Sequence, residues 1–413
     1  PSILAPVPDG YPIGSLMDYM GVTPQTGGYA VSAIPIRMYN LIFNEYFRDE
    51  DLVAPLPVPK TDGPDSSSPV ICQNIAWEKD YFTSARPWAQ KGPEISIPMA
   101  AAAPVVSNGN VPTFNGGGAT NGVLATDITP PAHLYVNGAT SNAQMTYGNE
   151  SGLETDLSDA AGSLLDLREA YALLRYQEAR ARYGSRYTEY LAYLGVRSSD
   201  ARLQRPEYLG GGSSVLQFSE VLQTTPESVD GSSDEQVGVG ELKGHGIGAM
   251  RSNRYRRFFE EHGYVITLLS VRPKTVYTQG IPRTFFRQTK EDYWQRELEH
   301  IGQQEILKGE IYAAAGTDAT QGWGAWQNRY EEYRRQENTV AGQFRTTLKD
   351  WHMAREFDAE PTLNGAFVTC DPTDRVYAVP GTPEEPEDQL YIKAMHSIQA
   401  RRLVSGNTGS WII

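Results

Sequence analysis

Tyr264-Val265-Ile266-Thr267-Leu268-Leu269-Ser270-Val271 is the run on which the fold turns. It is β-branched and apolar at both alternating sets of positions, the composition of a strand buried on both faces of a sandwich, and Arg272-Pro273 ends it. Pro282 and Arg283 prevent a continuation into Thr284-Phe285-Phe286, which opens a second candidate strand. Gly365 to Cys370, Arg375 to Val379 and Leu390 to Ile398 are three more short candidates, separated by Asp371-Pro372 and by a proline-acid loop from Pro380 to Asp388. Further upstream, Ile95, Ile97 and Met99 alternate with Ser96 and Pro98, as at a strand end or sheet edge.

Helices interrupt this β-leaning pattern. Met38, Leu41, Ile42 and Tyr46 recur at three- and four-residue steps between Ala33 and Phe47, which predicts a short helix with one buried face. Leu164, Leu167, Tyr171 and Leu174 repeat that spacing, and Gly184 is placed to stop the helix in a left-handed conformation. Trp326, Tyr330 and Tyr333 space a further helix whose other face carries Arg329, Glu332 and Gln336. Between the elements, Pro55, Pro57, Pro59, Pro64 and Pro69 make an extended linker, because proline supplies no N–H to a ladder or helix. The acidic, turn-rich stretch from Pro226 to Gly240 reads as surface.

Residues 100–158 differ in kind. Small and amide side chains dominate them, Gly116 to Gly118 form a triplet, and lysine and arginine are absent. Such a segment is either disordered or a long surface excursion with short strands of its own. The resulting division is an N-terminal part of the core over 1–99, a surface insertion over 100–158, and the remainder of the core over 159–413.

The whole chain of 413 residues, with 39 glycines, 27 prolines and only 21% charged side chains, is loop-rich and unlike a helical bundle. Its net charge of -14 repels polyanions on average, so contact with nucleic acid requires a local basic patch. No apolar run approaches the ~20 residues of a membrane span, and no secretion signal opens the sequence. The opening Pro1-Ser2-Ile3-Leu4-Ala5-Pro6 reads as the inside of a longer chain. Cys72 and Cys370 fit no metal-ligand or redox spacing and read as buried thiols of a reducing compartment.

Catalytic raw material is sparse. The six histidines form no HExxH or other metal-like pair, and the glycines from Gly238 to Gly248 lack both the GxGxxG order and a Walker lysine, so neither a metal nor another cofactor is expected. Glu260-Glu261, Glu331-Glu332 and Glu384-Glu385 are adjacent acids that point to different faces, which is the pattern of solvated charge rather than of a glycosidase pair. The basic signal is stronger. Arg251, Arg254, Arg256 and Arg257 are interleaved with Tyr255, Phe258 and Phe259, a mixture that pairs phosphates and stacks bases, or that forms an intersubunit salt-bridge cluster with Glu260 and Glu261. Tyr39, Phe43, Tyr46, Phe47, Trp326, Tyr330 and Tyr333 are the candidate core or interface aromatics.

Specific strings then carry a resemblance. Gly14-Ser15-Leu16-Met17-Asp18-Tyr19 and Tyr39-Asn40-Leu41-Ile42-Phe43-Asn44-Glu45-Tyr46-Phe47-Arg48-Asp49 are followed by Asp80-Tyr81-Phe82-Thr83 and Pro87-Trp88-Ala89-Gln90-Lys91-Gly92. Gly184-Ser185-Arg186-Tyr187 leads to Asp200-Ala201-Arg202-Leu203-Gln204-Arg205-Pro206-Glu207-Tyr208-Leu209-Gly210. In this order they resemble the major capsid proteins of Microviridae, particularly the gokushovirus branch. The resemblance implies a mainly β fold, the viral jelly roll, an eight-stranded antiparallel sandwich or barrel with long loop and helical insertions. Relatives carry early strands before the point that matches Pro1, so the barrel is expected to lack them in this stretch of chain. It also implies a structural protein, not an enzyme, that forms pentamers and a closed T=1 icosahedral shell in the bacterial host cytoplasm and resides in the virion. Its partners are then copies of itself, packaged single-stranded DNA, other virion proteins such as a pilot protein and a small DNA-binding protein, and a host cell-surface receptor, with no membrane insertion. Residues 100–158 correspond to a protrusion at the threefold axes. Readings from other classes are a β-sandwich carbohydrate-active enzyme, which needs two carboxylates roughly 5 to 10 Å apart, and a phage receptor-binding module.

Overall fold

The computed structural model describes residues 1–4, 9–23, 26–95, 105–107, 111, 113–116, 118–126, 134–137, 140, 146–147, 153–155, 164–218, 246–314, 316, 318–373, 375–376 and 389–403. Two apolar clusters organise it. The first gathers the start of the chain: β1 (Ser2–Leu4) pairs antiparallel with β2 (Ala30–Ser32), and α1 (Leu16–Tyr19) and α2 (Ile34–Ile42) pack beside them. Ser15 caps α1 by accepting the Asp18 N–H at 3.4 Å, and Pro35 sits in the first turn of α2, where its missing N–H costs nothing. The buried residues Ile36, Tyr39 and Phe43 fall at helical spacing, and Ile36 and Tyr39 meet Ile3, Leu16 and Met17. From Phe43 to Phe47 the helix widens into a π turn, and Arg48 leaves it in extended conformation. The proline-rich linker is irregular as expected, and it is tied to α2 where Asp65 accepts from Arg37 Nε at 2.7 Å.

The second cluster joins segments distant in sequence. Tyr81, Phe82, Tyr277, Ile306, Ile311, Trp323, Phe367 and Val368 bury against one another. Phe82 meets Tyr277 and Trp323 edge-on, with ring centres 4.8 and 6.2 Å apart. Irregular backbone stitches this core together through single bonds, among them Trp77 N–H to Val368 O at 2.9 Å and Arg355 N–H to Val276 O at 2.9 Å.

Among the described residues 100–158 are six short strands: β3 (Val105–Ser107), β4 (Thr113–Gly116), β5 (Ala119–Thr126), β6 (Leu134–Val136), β7 (Thr146–Tyr147) and β8 (Leu153–Thr155). They form one four-stranded sheet in the order β6-β5-β4-β7 and one β3-β8 pair, the excursion with strands of its own. Then come α3 (Leu164–Tyr183), α4 (Tyr187–Tyr193), β9 (Gln217–Phe218) and β10 (Gly246–Ile247), followed by β11 (Gln303–Leu307), α5 (Lys308–Ile311), β12 (Gly322–Asn328) and α6 (Gly365–Val368). Gly184 follows α3 at φ +98°, as its position predicts.

The described residues depart from several expectations. The described ladders are four two-stranded sheets and one four-stranded sheet, and no eight-stranded sandwich is assembled among the described residues. Tyr264–Val271 is irregular and joins no ladder among the described residues, and most of its side chains lie at the surface, Leu268 being the one of them that packs against the first cluster. The run has strand chemistry without a partner strand. The predicted helix at Trp326 is instead β12, antiparallel to β11, in which Trp323, Ala325 and Gln327 are buried at alternating positions. Tyr330 then turns the chain at φ 60°, a left-handed value that non-glycine residues seldom adopt, and Glu331–Tyr333 is one short 3-10 turn. Arg283–Phe286 is likewise a 3-10 turn, and Gly365–Val368 is a helical turn capped by Asn364, which accepts from Phe367 N–H at 2.9 Å. Leu390 to Ile398 is extended and unladdered. Cys72 is exposed, whereas Cys370 is buried as expected, and both are free thiols. The strand at 95–99, the stretch 226–240, the loop 380–388 and all but the start of 375–379 lie outside the described residues.

Candidate intersubunit and nucleic-acid interface

The feature that a single folded chain leaves unresolved is its apolar surface. From Tyr255 to Ile301 the backbone contributes Phe258, 82% exposed, and Phe285, 78% exposed, together with half-exposed Phe259, Tyr264, Val265, Leu269, Tyr293, Trp294 and Ile301. Leu390 to Leu403 adds Tyr391 and Met395, each at least 90% exposed. Soluble monomers seldom leave contiguous apolar surface on this scale, and such patches mark contacts with other molecules.

This surface is built rather than loose. Arg287 lies 4.3 Å from the centre of the Tyr333 ring and 5.3 Å from that of Tyr293, with Glu332 at 3.4 Å from its guanidinium. The Tyr333 hydroxyl accepts from Trp294 N–H at 3.2 Å, which sets the exposed indole beside the pair. Phe285 stands on the 3-10 turn that Arg283 anchors: its guanidinium donates to Glu310 Oε1 at 2.8 Å and to Glu305 O at 2.9 Å. Burial pushes the Glu310 carboxyl above its ordinary range, and Arg283 and the Tyr81 hydroxyl act against that rise.

The arginine tract lies on the same extended stretch. Arg251, Arg254, Arg256 and Arg257 are all exposed. Arg257 is spent on Glu207 at 2.7 Å, while Arg251, Arg254 and Arg256 form no ion pair among the described residues. Neither Glu260 nor Glu261 pairs with them there, so the salt-bridge partner is Glu207, far off in sequence. The β9–β10 pair and the Gly211 N–H, which donates to Asn253 Oδ1 at 2.6 Å, hold the tract against residues 211–218.

The candidate aromatics divide. Tyr39 and Phe43 are core, and the Tyr39 hydroxyl accepts from Gln73 N–H at 2.9 Å. Tyr330 is buried and Trp326 and Phe47 are half-buried, Trp326 holding Arg86 by two backbone bonds of 3.0 and 2.7 Å. Tyr46 is exposed at its rim but occupied: its hydroxyl donates to Pro206 O at 2.7 Å, and the Arg205 guanidinium lies 4.8 Å from its ring centre. Tyr333 is half exposed beneath Arg287. Sequence reasoning missed Val265 and Leu269 as surface, because their β-branched company is that of a core strand. It also missed Phe285 and Trp294; the only signal was aromatic residues amid charged neighbours.

No group of three His, Cys, Asp or Glu side chains fit to hold a metal occurs among the described residues. No helix there is long and apolar enough to cross a membrane.

Known proteins match this chain along nearly its full length. Residues 1–406 fit the family described as capsid protein (F protein). Capsid protein VP1 of Bdellovibrio phage phiMH2K is 35% identical over 92% of this chain and 73% of its own length. Capsid protein VP1 of Chlamydia phage 1 is 31% identical over 91% of this chain and 75% of its own, and that of Spiroplasma virus 4 is 31% identical over 94% and 74%. An exposed, braced apolar surface is what a shell subunit carries before its neighbours arrive, and by these matches the chain belongs to the capsid protein (F protein) family of the Microviridae.

Proposed function

We propose that copies of this chain assemble into the closed icosahedral shell of a small single-stranded DNA phage. Membership of the capsid family makes the chain a structural protein and not an enzyme. The observation that carries the assembly reading is the exposure of Tyr264, Val265, Leu269 and Val271 on a run that joins no ladder among the described residues. Unpaired strand backbone and bare β-branched side chains are both satisfied by a neighbouring strand, and symmetry repeats that contact around each axis. In this reading the run belongs to a jelly-roll sandwich completed by further strand partners, and residues 100–158 form the protrusion at the threefold axes. Arg254 and Arg256, free of ion pairs among the described residues, face inward to the packaged strand. Assembly takes place in the bacterial host cytoplasm, with a pilot protein, a small DNA-binding protein and a host receptor as further partners.

Electron microscopy of purified Val265→Asp/Leu269→Asp protein tests the assembly reading. The expected result is folded chains without shells; normal shells would overturn it. Gln replacements at Arg254 and Arg256 test the inward face, where unchanged genome content and unchanged salt sensitivity would count against it.

A further inference from the structure

A cavity of about 340 Å³ lies between the π turn, the segment Ile75 to Arg86 and the end of α3. Its size falls within the range of ~300–1,000 Å³ common to small-molecule sites. Arg48, Lys79, Arg86, Arg182, Arg186 and Arg272 line it, against only two carboxylates, Glu50 and Glu189. The balance does not even out behind the wall. Arg86 is neutralised by Asp49 and Asp51, at 3.4 and 3.0 Å, and Lys79 also pairs with Asp49.

The other guanidiniums rest largely on backbone oxygens, which accept hydrogen bonds without cancelling charge. Arg48 donates to the carbonyls of Asp49, Glu50 and Val53. Arg186 donates to Asn44 O at 2.7 Å and Arg48 O at 3.3 Å, with Glu50 only at 4.0 Å. Arg272 donates to Ala76 O at 3.0 Å, and Arg182 forms no ion pair among the described residues. Arg48 Nε is buried without a hydrogen-bond partner. Burial and, after it, the adjacent Arg186 push the Arg48 guanidinium below its ordinary pKa, with Glu50, Asp49 and Glu45 acting against that fall. Burial, with Glu50 and Asp51 nearby, raises the Glu189 carboxyl above its ordinary pKa, against the pull of Arg186. At the cavity wall, Tyr183 presents a half-exposed ring tilted 32° against that of Tyr193, with ring centres 4.4 Å apart.

We infer that this cavity is a binding site for the phosphate of a nucleotide, with the guanidiniums of Arg48, Arg182 and Arg272 on the phosphate and Tyr183 against the base. Guanidiniums bind phosphate oxygens through paired N–H donors, and an aromatic face stacks any base. The site is separate from the Arg254 tract and does not depend on that tract's role. The nucleotide is either a residue of a nucleic-acid strand or a free mononucleotide.

Calorimetric titration of the purified full chain at low salt distinguishes these, using thymidine, thymidine monophosphate and a decathymidylate. Saturable binding of the monophosphate or the decamer, none of thymidine, and at least roughly tenfold weakening in Arg182→Gln/Arg272→Gln are the expected results, since each charge-assisted bond contributes about 1.5–3 kcal/mol. Binding of the monophosphate alone identifies a free nucleotide, and binding of the decamer identifies strand phosphate. Equal behaviour of thymidine and its monophosphate with no decamer binding, or affinity unchanged in the double variant, would overturn the inference. The double variant removes a single backbone hydrogen bond and no ion pair, and its unfolding midpoint verifies that it folds. Microscopy of the same preparations scores shell formation independently, so a failure of assembly is not mistaken for a failure of binding.

Discussion

The Arg355 guanidinium lies 4.3 Å from the centre of the Phe367 ring and donates from Nη2 to the Phe367 carbonyl oxygen at 2.8 Å. Trp77, Phe357 and Tyr277 surround the same cation at 4.9, 5.3 and 5.8 Å. One planar charge thus joins segments otherwise linked by isolated bridges, Tyr277 to Arg355 and Ala76 to Thr369. Lysine cannot lie flat between the rings or keep the fork of donors. Arg355→Lys is expected to lower stability by about 2–3 kcal/mol, from a desolvated cation–π contact and a charged hydrogen bond. Urea unfolding of the purified chain measures it, and a loss under about 0.5 kcal/mol would show that the rings hold without the cation.

Gly184 is the hinge between α3 and α4. At φ +98° it adopts the left-handed region, and an added Cβ would stand 2.0 Å from a Glu189 carboxylate oxygen. That carboxylate must stay, because it accepts the Arg186 N–H at 3.1 Å and opens α4. Gly184→Ala combines left-handed strain of roughly 1–2 kcal/mol with loss of a cap of about 1 kcal/mol. A drop of about 2–3 kcal/mol in unfolding free energy is expected, while Gly195→Ala, whose Cβ meets nothing within 4 Å, bears only the backbone strain. Equal losses at the two glycines would remove the argument from Glu189.

Local signals were legible where the chain satisfies itself. The helix of α2 was legible in its apolar periodicity, but the face was not: Met38, Leu41 and Ile42 are half-buried and Tyr46 exposed, while Ile36 and Tyr39 are buried, and Gly184 ends α3 for a reason contained in one residue. Signals failed where a partner decides. Tyr264–Val271 has the side chains of a core strand, yet burial belongs to whatever backbone lies alongside, and the described residues provide no partner strand. At Trp326, Tyr330 and Tyr333 a helical spacing coincided with a strand, and the true period was in Trp323, Ala325 and Gln327. The arginine tract was visible as a run, but its partner Glu207 was not. The basic cavity was invisible, since Arg48, Arg86, Arg182 and Arg272 come from four distant segments.

The two thiols should separate by accessibility. Cys72 is exposed, whereas Cys370 is buried and its thiol is pushed up to about 11, chiefly by that burial. The thiolate is the reacting form, so Cys370 is protected both by contact and by protonation. Iodoacetamide at pH 8 is expected to label Cys72 slowly, because partial burial raises its pKa as well, and to reach Cys370 only after unfolding. Mass analysis of the peptides decides it; equal labelling in the folded chain would mean that the Ile75 to Cys370 contact opens readily.

Asp65 sets an acid limit on the fold. Burial alone would raise its carboxyl, but hydrogen bonds from Arg37, Ser68 and Ser67 outweigh it and hold the pKa far below the ordinary value of 3.8. The carboxylate is fully buried and Arg37 is nearly so, which makes the pair a clamp between α2 and the proline-rich linker. A depressed folded pKa means that the unfolded chain takes up the proton first. The stabilisation is therefore fully present above about pH 4 and is lost as the pH falls through 3.8 toward the depressed value. Asp65→Asn leaves Arg37 buried without its counter-charge, so at pH 7 it is expected to cost about 3–5 kcal/mol. Near pH 2 the wild-type carboxylate has lost part of its advantage, and the gap between the two proteins should narrow. Asp49, likewise depressed because Arg86 and Lys79 overcome its burial, keeps some acid sensitivity in the variant. Urea unfolding at pH 7, 5 and 3, extended to 2 where the chain still folds, tests the sign. A gap that stays constant over that range would place the contribution of Asp65 in packing and not in charge.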